Sequence, residues 1–222
     1  MFLYKKAFAY IVGEIVYYER GDKKHAYLNI TPSYECTNDC VFCDKQVLES
    51  KVGANLFLEK SPSLDQVIRE LKEKIEPNVV EEFVFCGIGE PLIYLDKLLG
   101  ITRHIKKEYG KPVRINTNGQ AYVLYPARKV VRGLEKAGVD ALSISLNVMD
   151  KESYQMLHRP KHPESFGQLI RFIKDCNASS MKTYVSFLEF PKLKKNKALE
   201  FTRSLGLKDE QVRFRKFLSK KD

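Results

Sequence analysis

The sequence predicts an α/β fold in which parallel strands alternate with helices and form a partial (β/α)6 barrel. The first observation is a series of short apolar segments of strand length, at residues 28–31, 82–86, 113–117, 141–146, 183–190 and 212–217. The second is that a segment with a helical pattern separates each strand from the next. Strands joined in this way form parallel sheets with right-handed crossovers, and eight such units close a barrel. Six units leave the barrel open on one side, with the active site expected at the carboxyl ends of the strands.

The helices are predicted from the residues at their boundaries. Ser63 is expected to begin the first helix through a capping box with Gln66. The second helix, at about residues 96–109, is expected to stop at Gly110 and Pro112. The remaining helices are predicted at residues 126–138, 163–177 and about 196–205, with Gly206 ending the last one.

The composition predicts one globular domain. Residues 26–222 are expected to form a single core domain, and residues 1–25 an N-terminal extension or hairpin with Gly21 and Asp22 in its turn. The content of hydrophobic residues is 44% and that of charged residues 30%, which is typical of soluble proteins. No apolar run reaches the roughly 18 residues of a membrane span. The apolar N-terminal stretch is interrupted at Glu14, so we interpret it as a strand and expect a cytoplasmic protein.

Three cysteines form the most informative motif. Cys36, Cys40 and Cys43 have C-x3-C-x2-C spacing, and three thiolates on one loop can bind three irons of a 4Fe–4S cluster. The fourth iron then keeps an open position for chemistry. A structural zinc site would need a fourth ligand, for which Cys86 and His25 are the plausible residues, each without a knuckle partner. Five cysteines in total are too few, and odd in number, for a disulfide scaffold.

The residues around the cysteines resemble a known signature. Phe42 precedes the last cysteine, and the apolar segment 26–31 precedes the loop. This pattern is similar to that of the radical S-adenosylmethionine (SAM) enzymes. The resemblance implies a partial barrel of the radical SAM type, a 4Fe–4S cluster on the three cysteines, and SAM bound to the open iron. In that family one electron cleaves SAM to a 5′-deoxyadenosyl radical, which abstracts hydrogen from the substrate. Phe42 is expected to lie behind the adenine.

A second motif follows the second predicted strand. The turn Cys86-Gly87-Ile88-Gly89-Glu90-Pro91 would by itself be an ordinary strand exit. It is similar to the Gly-Gly-Glu-Pro element of the same family, although Ile88 separates the two glycines here. The resemblance implies that Gly87, Gly89 and Glu90 hold the amino group of SAM. Cys86 is interpreted as a buried strand residue rather than a ligand.

Polar residues at the next two strand ends are further candidates. Asn118 lies in an Asn-Gly pair that on its own indicates only a turn. Ser145 and Asn147 alternate with apolar residues and would also fit one wetted strand face. The resemblance implies that Ser145 and Asn147 contact the ribose hydroxyls and that Asn118 contacts the SAM carboxylate. The fifth strand lacks the glycines usual in the family.

Several motifs together resemble one branch of the family, the TatD-associated radical SAM proteins. They are the segment 27–31, Gly89-Glu90-Pro91, Asn116-Thr117-Asn118-Gly119 and Ser145-Leu146-Asn147. Small activases and the deazaguanine-forming synthases are a second resemblance. The implied partners are a one-electron donor such as a flavodoxin or ferredoxin, and a TatD-type hydrolase.

The charge of the chain suggests an alternative function. The net charge is +10, and residues 191–222 contain eleven Lys and Arg against four Asp and Glu. This basic end could bind nucleic acid, but we favour a solvated face because few aromatic residues accompany the charges. The alternative is a non-catalytic iron–sulfur or zinc module that docks on nucleic acid. His104, His158 and His162 are interpreted as surface or loop residues, although His158 and Arg159 could face a substrate.

Overall fold

The computed structural model describes residues 14–18, 23–43, 55–191 and 193–216. Within these ranges the sheet has seven strands in chain order. They are β1 (Val16–Tyr17), β2 (His25–Leu28), β3 (Glu82–Phe85), β4 (Val113–Thr117), β5 (Ala141–Ser145), β6 (Lys182–Leu188) and β7 (Val212–Arg215). Strand β1 is antiparallel to β2, and every later neighbour is parallel. The predicted open α/β sheet is confirmed, as is an antiparallel strand before it. The predicted turn at Gly21 and Asp22 lies outside the described residues.

The helices cover one face of this sheet. They are α1 (Leu64–Lys74), α2 (Leu95–Glu108), α3 (Ala121–Leu124), α4 (Val130–Ala137), α5 (Lys151–His158), α6 (Ser165–Asn177) and α7 (Lys195–Ser204). The five predicted helices are present, whereas α3 and α5 had no counterpart in the sequence pattern. Single 3-10 turns occur at Pro32–Tyr34, Pro91–Tyr94 and Asp209–Gln211. None of the described helices has the length and apolar character needed to cross a membrane.

The capping box of α1 is confirmed by its geometry. The backbone N–H of Gln66 donates to Ser63 Oγ at 3.2 Å, and the Ser63 N–H donates to Gln66 Oε1 at 2.8 Å. Both donors would otherwise be orphans at the helix start. At the end of α2, Gly110 has a φ of +62°, in the left-handed region where a helix stops.

Strand β5 ends one residue earlier than the alternating pattern predicts. The N–H groups of Leu146 and Asn147 both donate to the carbonyl of Ser186, at 3.0 Å each. Asn147 then turns away with a φ of +59°. The side chain of Asn147 thereby lies at the carboxyl end of the strand, next to the start of the following loop.

The two faces of the sheet differ in polarity. The face packed on the helices is apolar, with buried side chains that include Leu28, Phe85, Ile115, Ile144 and Phe187. The alternate residues point to the opposite face. One cavity of about 330 Å³ on that face is lined by residues from β2 through β7, which shows that the face is concave. We refer to this as the concave face. It carries polar and charged residues, among them Arg114, Ser143, Tyr184 and Arg213.

Candidate functional site

The cysteine loop lies at the carboxyl ends of the parallel strands. The chain leaves β2, passes the turn Pro32–Tyr34 and enters a loop at residues 35–43. Ser33 and Tyr34 have φ values of +47° and +56°, which reverse the chain at this point. Cys36, Cys40 and Cys43 line one cavity of about 890 Å³. The structure therefore brings the three predicted ligands together at the predicted end of the sheet.

The loop is held against the C-terminal end of α5 by backbone hydrogen bonds. The Val41 N–H donates to the Leu157 carbonyl at 3.0 Å, and the Asp39 N–H donates to the His158 carbonyl at 3.1 Å. Within the loop, the Cys43 N–H donates to the Cys40 carbonyl at 3.0 Å. These bonds fix the loop against α5.

His158 is buried directly beside this loop, so its predicted place at the surface is wrong. The residue is 1% exposed, and its Nδ1 lies 3.6 Å from Cys40 Sγ. Its ring stacks on Tyr154, with centroids 4.3 Å apart, and meets the edge of Phe42 at 5.1 Å. Burial lowers the pKa of His158 to about 4, so the ring is neutral near pH 7. A neutral imidazole can donate from Nδ1 to a thiolate.

The cysteine thiols form a crowded, partly dehydrated set. Burial, together with smaller contributions from the nearby Cys36 and Cys43, raises the pKa of Cys40 to about 12. Burial also raises the pKa of Cys36, with a second contribution from Glu90. Thiolates at such a place need a compensating positive charge, which bound metal supplies. The binding of metal by these three cysteines stays a prediction.

Three thiolates on one loop suit the separate irons of a cluster. Among the described residues, no three His, Cys, Asp or Glu side chains converge on one point that could hold a metal ion. A cubane instead takes each thiolate on a separate iron, so common convergence is not required. His25 lies at the first residue of β2, at the opposite end of the sheet, where its Nε2 is 3.8 Å from Glu82. His25 therefore cannot complete a zinc site with the cysteine loop.

The glycine turn packs directly on the cysteine loop. Gly89 lines the same cavity and has a φ of +113°. A Cβ there would lie 2.5 Å from Thr31 Cγ2 and 2.6 Å from the Glu35 carbonyl oxygen. The Glu90 N–H donates to that same carbonyl at 2.9 Å. Only glycine fits this contact, because both the backbone conformation and the space exclude a side chain.

Gly87, two residues before Gly89, lies similarly close to the side chain of Asn29. A Cβ at this position would lie 2.5 Å from Asn29 Oδ1. The Asn29 side chain is buried and donates from Nδ2 to the Leu56 carbonyl at 2.8 Å. The backbone of the turn is thus closely packed at Gly87 as well as at Gly89.

Glu90 is buried in a complete shell of donors. It is 1% exposed, and its carboxylate accepts from Thr117 Oγ1 at 2.7 Å, from the Asn118 N–H at 2.7 Å and from the Leu92 N–H at 3.0 Å. Burial raises its pKa to about 7, although the three hydrogen bonds act in the opposite direction. The carboxylate therefore joins the end of β3 to the end of β4. Its contact with SAM stays a prediction.

Asn118 connects the two motifs. Its Nδ2 donates to Thr37 Oγ1 at 2.8 Å and lies 3.4 Å from Cys36 Sγ. Its Oδ1 accepts from the Gln120 N–H at 3.0 Å. The cysteine loop, the glycine turn and the end of β4 thus form one hydrogen-bonded unit.

The remaining predicted residues lie nearby in different environments. Ser145 is on the concave face, opposite Ser186 in the register of the sheet. Asn147 is buried and its Oδ1 accepts from the Leu188 N–H at 3.0 Å. Phe42 packs against Phe190 with ring centroids 5.5 Å apart. Their contacts with SAM stay predictions.

A buried polar group beneath the cysteine loop was missed by the sequence pattern. The Tyr154 hydroxyl accepts from Asn38 Nδ2 at 3.1 Å and from Gln120 Nε2 at 2.7 Å. Tyr154 is fully buried, and burial raises its pKa. Tyr154 and His158 are four residues apart on α5, which places both on one helix face. That spacing was the only local signal for their role.

Comparison with known proteins agrees with this geometry. The sequence model of the Radical SAM superfamily matches residues 30–200. A relative from Methanococcus maripaludis (strain C7), named probable GTP 3′,8-cyclase, is 31% identical over 130 residues. That match covers 59% of this chain and 38% of the relative, so the chain spans less than half the length of the curated relatives.

Solved structures share the fold at low sequence identity. Streptococcus suis SuiB bound to the precursor peptide SuiA has a TM-score of 0.59 and 19% identity, over 84% of this chain and 38% of SuiB. Native anSMEcpe with bound AdoMet has a TM-score of 0.60 and 15% identity, over 87% of this chain and 51% of that protein. At this identity the likeness shows the fold alone.

Proposed function

The chain belongs to the radical SAM superfamily of enzymes, and on that premise we propose that it cleaves SAM reductively and uses the product radical to abstract hydrogen from a substrate. The family uses a 4Fe–4S cluster and SAM. When bound, they supply the electron and the 5′-deoxyadenosyl radical. The observation that carries the proposal is the single hydrogen-bonded unit formed by the cysteine loop, the Gly87–Glu90 turn and Asn118.

Each part of this unit has a proposed task. Cys36, Cys40 and Cys43 would hold the cluster. Gly87, Gly89 and Glu90 would bind the amino group of SAM, and Asn118 its carboxylate. Ser145 and Asn147 would orient the ribose, and Phe42 would pack behind the adenine and exclude water. The buried Glu90 and Asn147 side chains support this by fixing the strand ends from which these contacts are made.

The proposed electron donor is a flavodoxin or ferredoxin. Cys43 is exposed, whereas Cys36 and Cys40 are half-buried. An electron can therefore enter through the Cys43 side of the loop without crossing the protein core. A TatD-type hydrolase is a further proposed partner, and it depends only on the resemblance to the TatD-associated branch.

The relatives named GTP 3′,8-cyclase favour a second candidate, in which GTP is the substrate. Support comes from 31% identity to the relative described above. The aligned part is 38% of that protein, so the residues that would select its substrate need not be represented here. Anaerobic incubation with GTP, SAM and reductant, followed by analysis for a cyclised nucleotide, tests this candidate.

The alternative of a nucleic-acid-docking module receives little support. The basic residues at the C-terminal end of the chain do not share one surface. Lys195 pairs with Glu189 and packs over Phe214 at 5.1 Å. Arg213 and Arg215 instead lie on the concave face. Lys192 lies outside the described residues.

The decisive experiment is cleavage of SAM by the reconstituted protein. The protein is loaded with iron and sulfide without oxygen, reduced with dithionite and given SAM. We expect methionine and 5′-deoxyadenosine, and neither from the Cys40→Ala variant treated identically. Zinc at one equivalent in protein purified without oxygen, or SAM that stays intact on a full cluster, would overturn the proposal.

A further inference from the structure

The concave face carries cations that the proposed SAM site does not use. The cavity of about 330 Å³ near the amino ends of the strands is lined by His25, Glu82, Arg114, Ala141, Ser143, Lys182, Tyr184 and Arg213. Glu82 is the only carboxylate in this lining, against two arginines and one lysine. The cavity therefore has an excess of positive charge.

The one carboxylate is already neutralised. Arg114 Nη2 lies 2.8 Å from Glu82 Oε2, and Arg114 Nε lies 3.1 Å from the same oxygen. His25 approaches Glu82 from β2 at 3.8 Å. Within the described part of the chain, Arg213 and Lys182 have no carboxylate partner, and the Arg213 guanidinium packs over the Tyr184 ring at 4.5 Å.

Arg215 extends the same row of charge toward the proposed SAM site. In the register of the sheet Arg213 pairs with Ser186 and Arg215 with Leu188. Phe214, between them, packs on Phe187 in the core, so both arginines point to the concave face. Arg215 therefore lies two residues nearer than Arg213 to the carboxyl end of the sheet. No carboxylate partner of Arg215 is present among the described residues.

We propose that Arg213 and Arg215 form an anion-binding site that holds a phosphate or carboxylate group of the substrate. This inference depends on the proposed function, because it assigns a substrate group to the same barrel. A guanidinium binds such oxygens with two parallel charge-assisted hydrogen bonds. The aromatic contact of Arg213 with Tyr184 fixes its plane for this purpose.

The position of the site explains how an anchored group could serve the reaction. Ser186 lies between Arg213 on β7 and Ser145 on β5 in the register of the sheet. Two strand spacings separate those positions, which is about 10 Å. A substrate anchored by its anionic group at Arg213 and Arg215 could therefore present a carbon–hydrogen bond to the strand ends where SAM is proposed to bind. Strand β7 is the edge of the described sheet, so such a substrate could enter from the open side.

The test uses pyrophosphate and succinate as probes of the two possible anions. Each is titrated by calorimetry into the reconstituted protein saturated with SAM, at low and moderate salt. We expect one of the probes to bind, and the Arg213→Gln/Arg215→Gln variant to bind it at least about tenfold more weakly, as for lost charge-assisted bonds. The control is Arg103→Gln/Arg132→Gln, which removes the same charge from exposed helix positions and should leave binding unchanged.

Each other outcome overturns the inference. If neither probe binds, or if the Arg213→Gln/Arg215→Gln variant binds as tightly as the native protein, the site does not exist. If the control variant loses as much affinity for the probe, the probe is attracted only by the net charge of the protein. Binding of a probe to the protein without SAM, but not to the SAM-saturated protein, shows that the arginines hold the SAM carboxylate instead of a substrate. Because probe binding is measured without SAM cleavage, its failure is distinguishable from failure of the proposed radical chemistry.

Discussion

His158 Nδ1 lies 3.6 Å from Cys40 Sγ, on a buried ring that stacks on Tyr154. Tilting the ring out of its plane would break this stacking, so the plane of the ring is fixed beside the sulfur. Hydrogen bonds to cluster sulfurs raise the reduction potential, because they stabilise the more negative reduced state. His158 is thus expected to be a positioning residue for Cys40 that also affects the cluster.

The His158→Phe variant is expected to retain its cluster but with a more negative midpoint potential. Phenylalanine keeps the stacking on Tyr154 and removes the donor to Cys40. The measurement is a potentiometric titration followed by electron paramagnetic resonance, with iron and sulfide content determined on the same sample. His162→Phe, at an exposed position four residues further along, is the control. An unchanged potential in His158→Phe with a full cluster would show that no such bond acts on the cluster.

The cysteine assignments predict which single Cys→Ala variants lose the cluster and which retain it. Cys36→Ala, Cys40→Ala and Cys43→Ala should each abolish the cluster, because each removes the ligand of one iron. Cys86→Ala and Cys176→Ala should bind about four irons per chain, since Cys176 is buried in α6. Iron and sulfide analysis after anaerobic reconstitution measures this. Loss of the cluster in Cys86→Ala would make that residue a ligand.

Gly89→Ala should be strongly destabilising. The new Cβ would lie 2.6 Å from the Glu35 carbonyl oxygen, and φ is +113°. Gly110→Ala is the matched control, because it also has a positive φ but nothing lies within 4 Å of the added Cβ. We expect a loss of about 1 kcal/mol for the control and about 3 kcal/mol or more for Gly89→Ala, measured by denaturant unfolding. Equal losses would mean that the cysteine loop moves away at little cost.

Local patterns predicted most of the fold, for identifiable reasons. Strand β4 is found at Val113–Thr117, as expected from its alternating residues, and α1 begins at its predicted cap. Helix α5 was missed because its buried residues, Tyr154 and His158, are amphipathic rather than apolar. What buries them is the cysteine loop, more than a hundred residues earlier in the chain. No short sequence window contains that information.

The candidate site also has parts that the sequence could predict and parts that it could not. The cysteine spacing and the glycine turn are local, so both could be recognised along the chain. The partners of Glu90 depend on the pairing of β3 with β4, which brings together residues 27 and 28 positions apart. The sequence could suggest a carboxylate facing a ligand, but not the three donors that already surround it.

Glu90→Gln is expected to weaken SAM binding while the cluster stays intact. The substitution removes a charge that could pair with the SAM ammonium, and it places an amide donor among the N–H groups that now point at the carboxylate. Equilibrium binding of SAM to reconstituted protein measures the affinity, and iron analysis confirms equal loading. The conservative Thr117→Ser variant keeps the hydroxyl donor and serves as the control. If the affinity is unchanged in Glu90→Gln, Glu90 does not contact SAM.

Glu90 also predicts a pH dependence of stability in the protein without its cluster. Burial raises its pKa in the folded state to about 7, against an ordinary value of 4.5. Between these values the unfolded chain has lost the proton that the folded protein retains, so the free energy of unfolding falls as pH rises through this window. The contribution is up to about 3 kcal/mol and is fully lost above the folded pKa. Denaturant unfolding at pH 5 and pH 8 should therefore differ less for Glu90→Gln than for the native protein, whereas Glu76→Gln, at an exposed position, should retain the native difference. A native-like difference in Glu90→Gln would show that this carboxyl group is already ionised at pH 5, with its charge fully compensated by the Thr117, Asn118 and Leu92 donors.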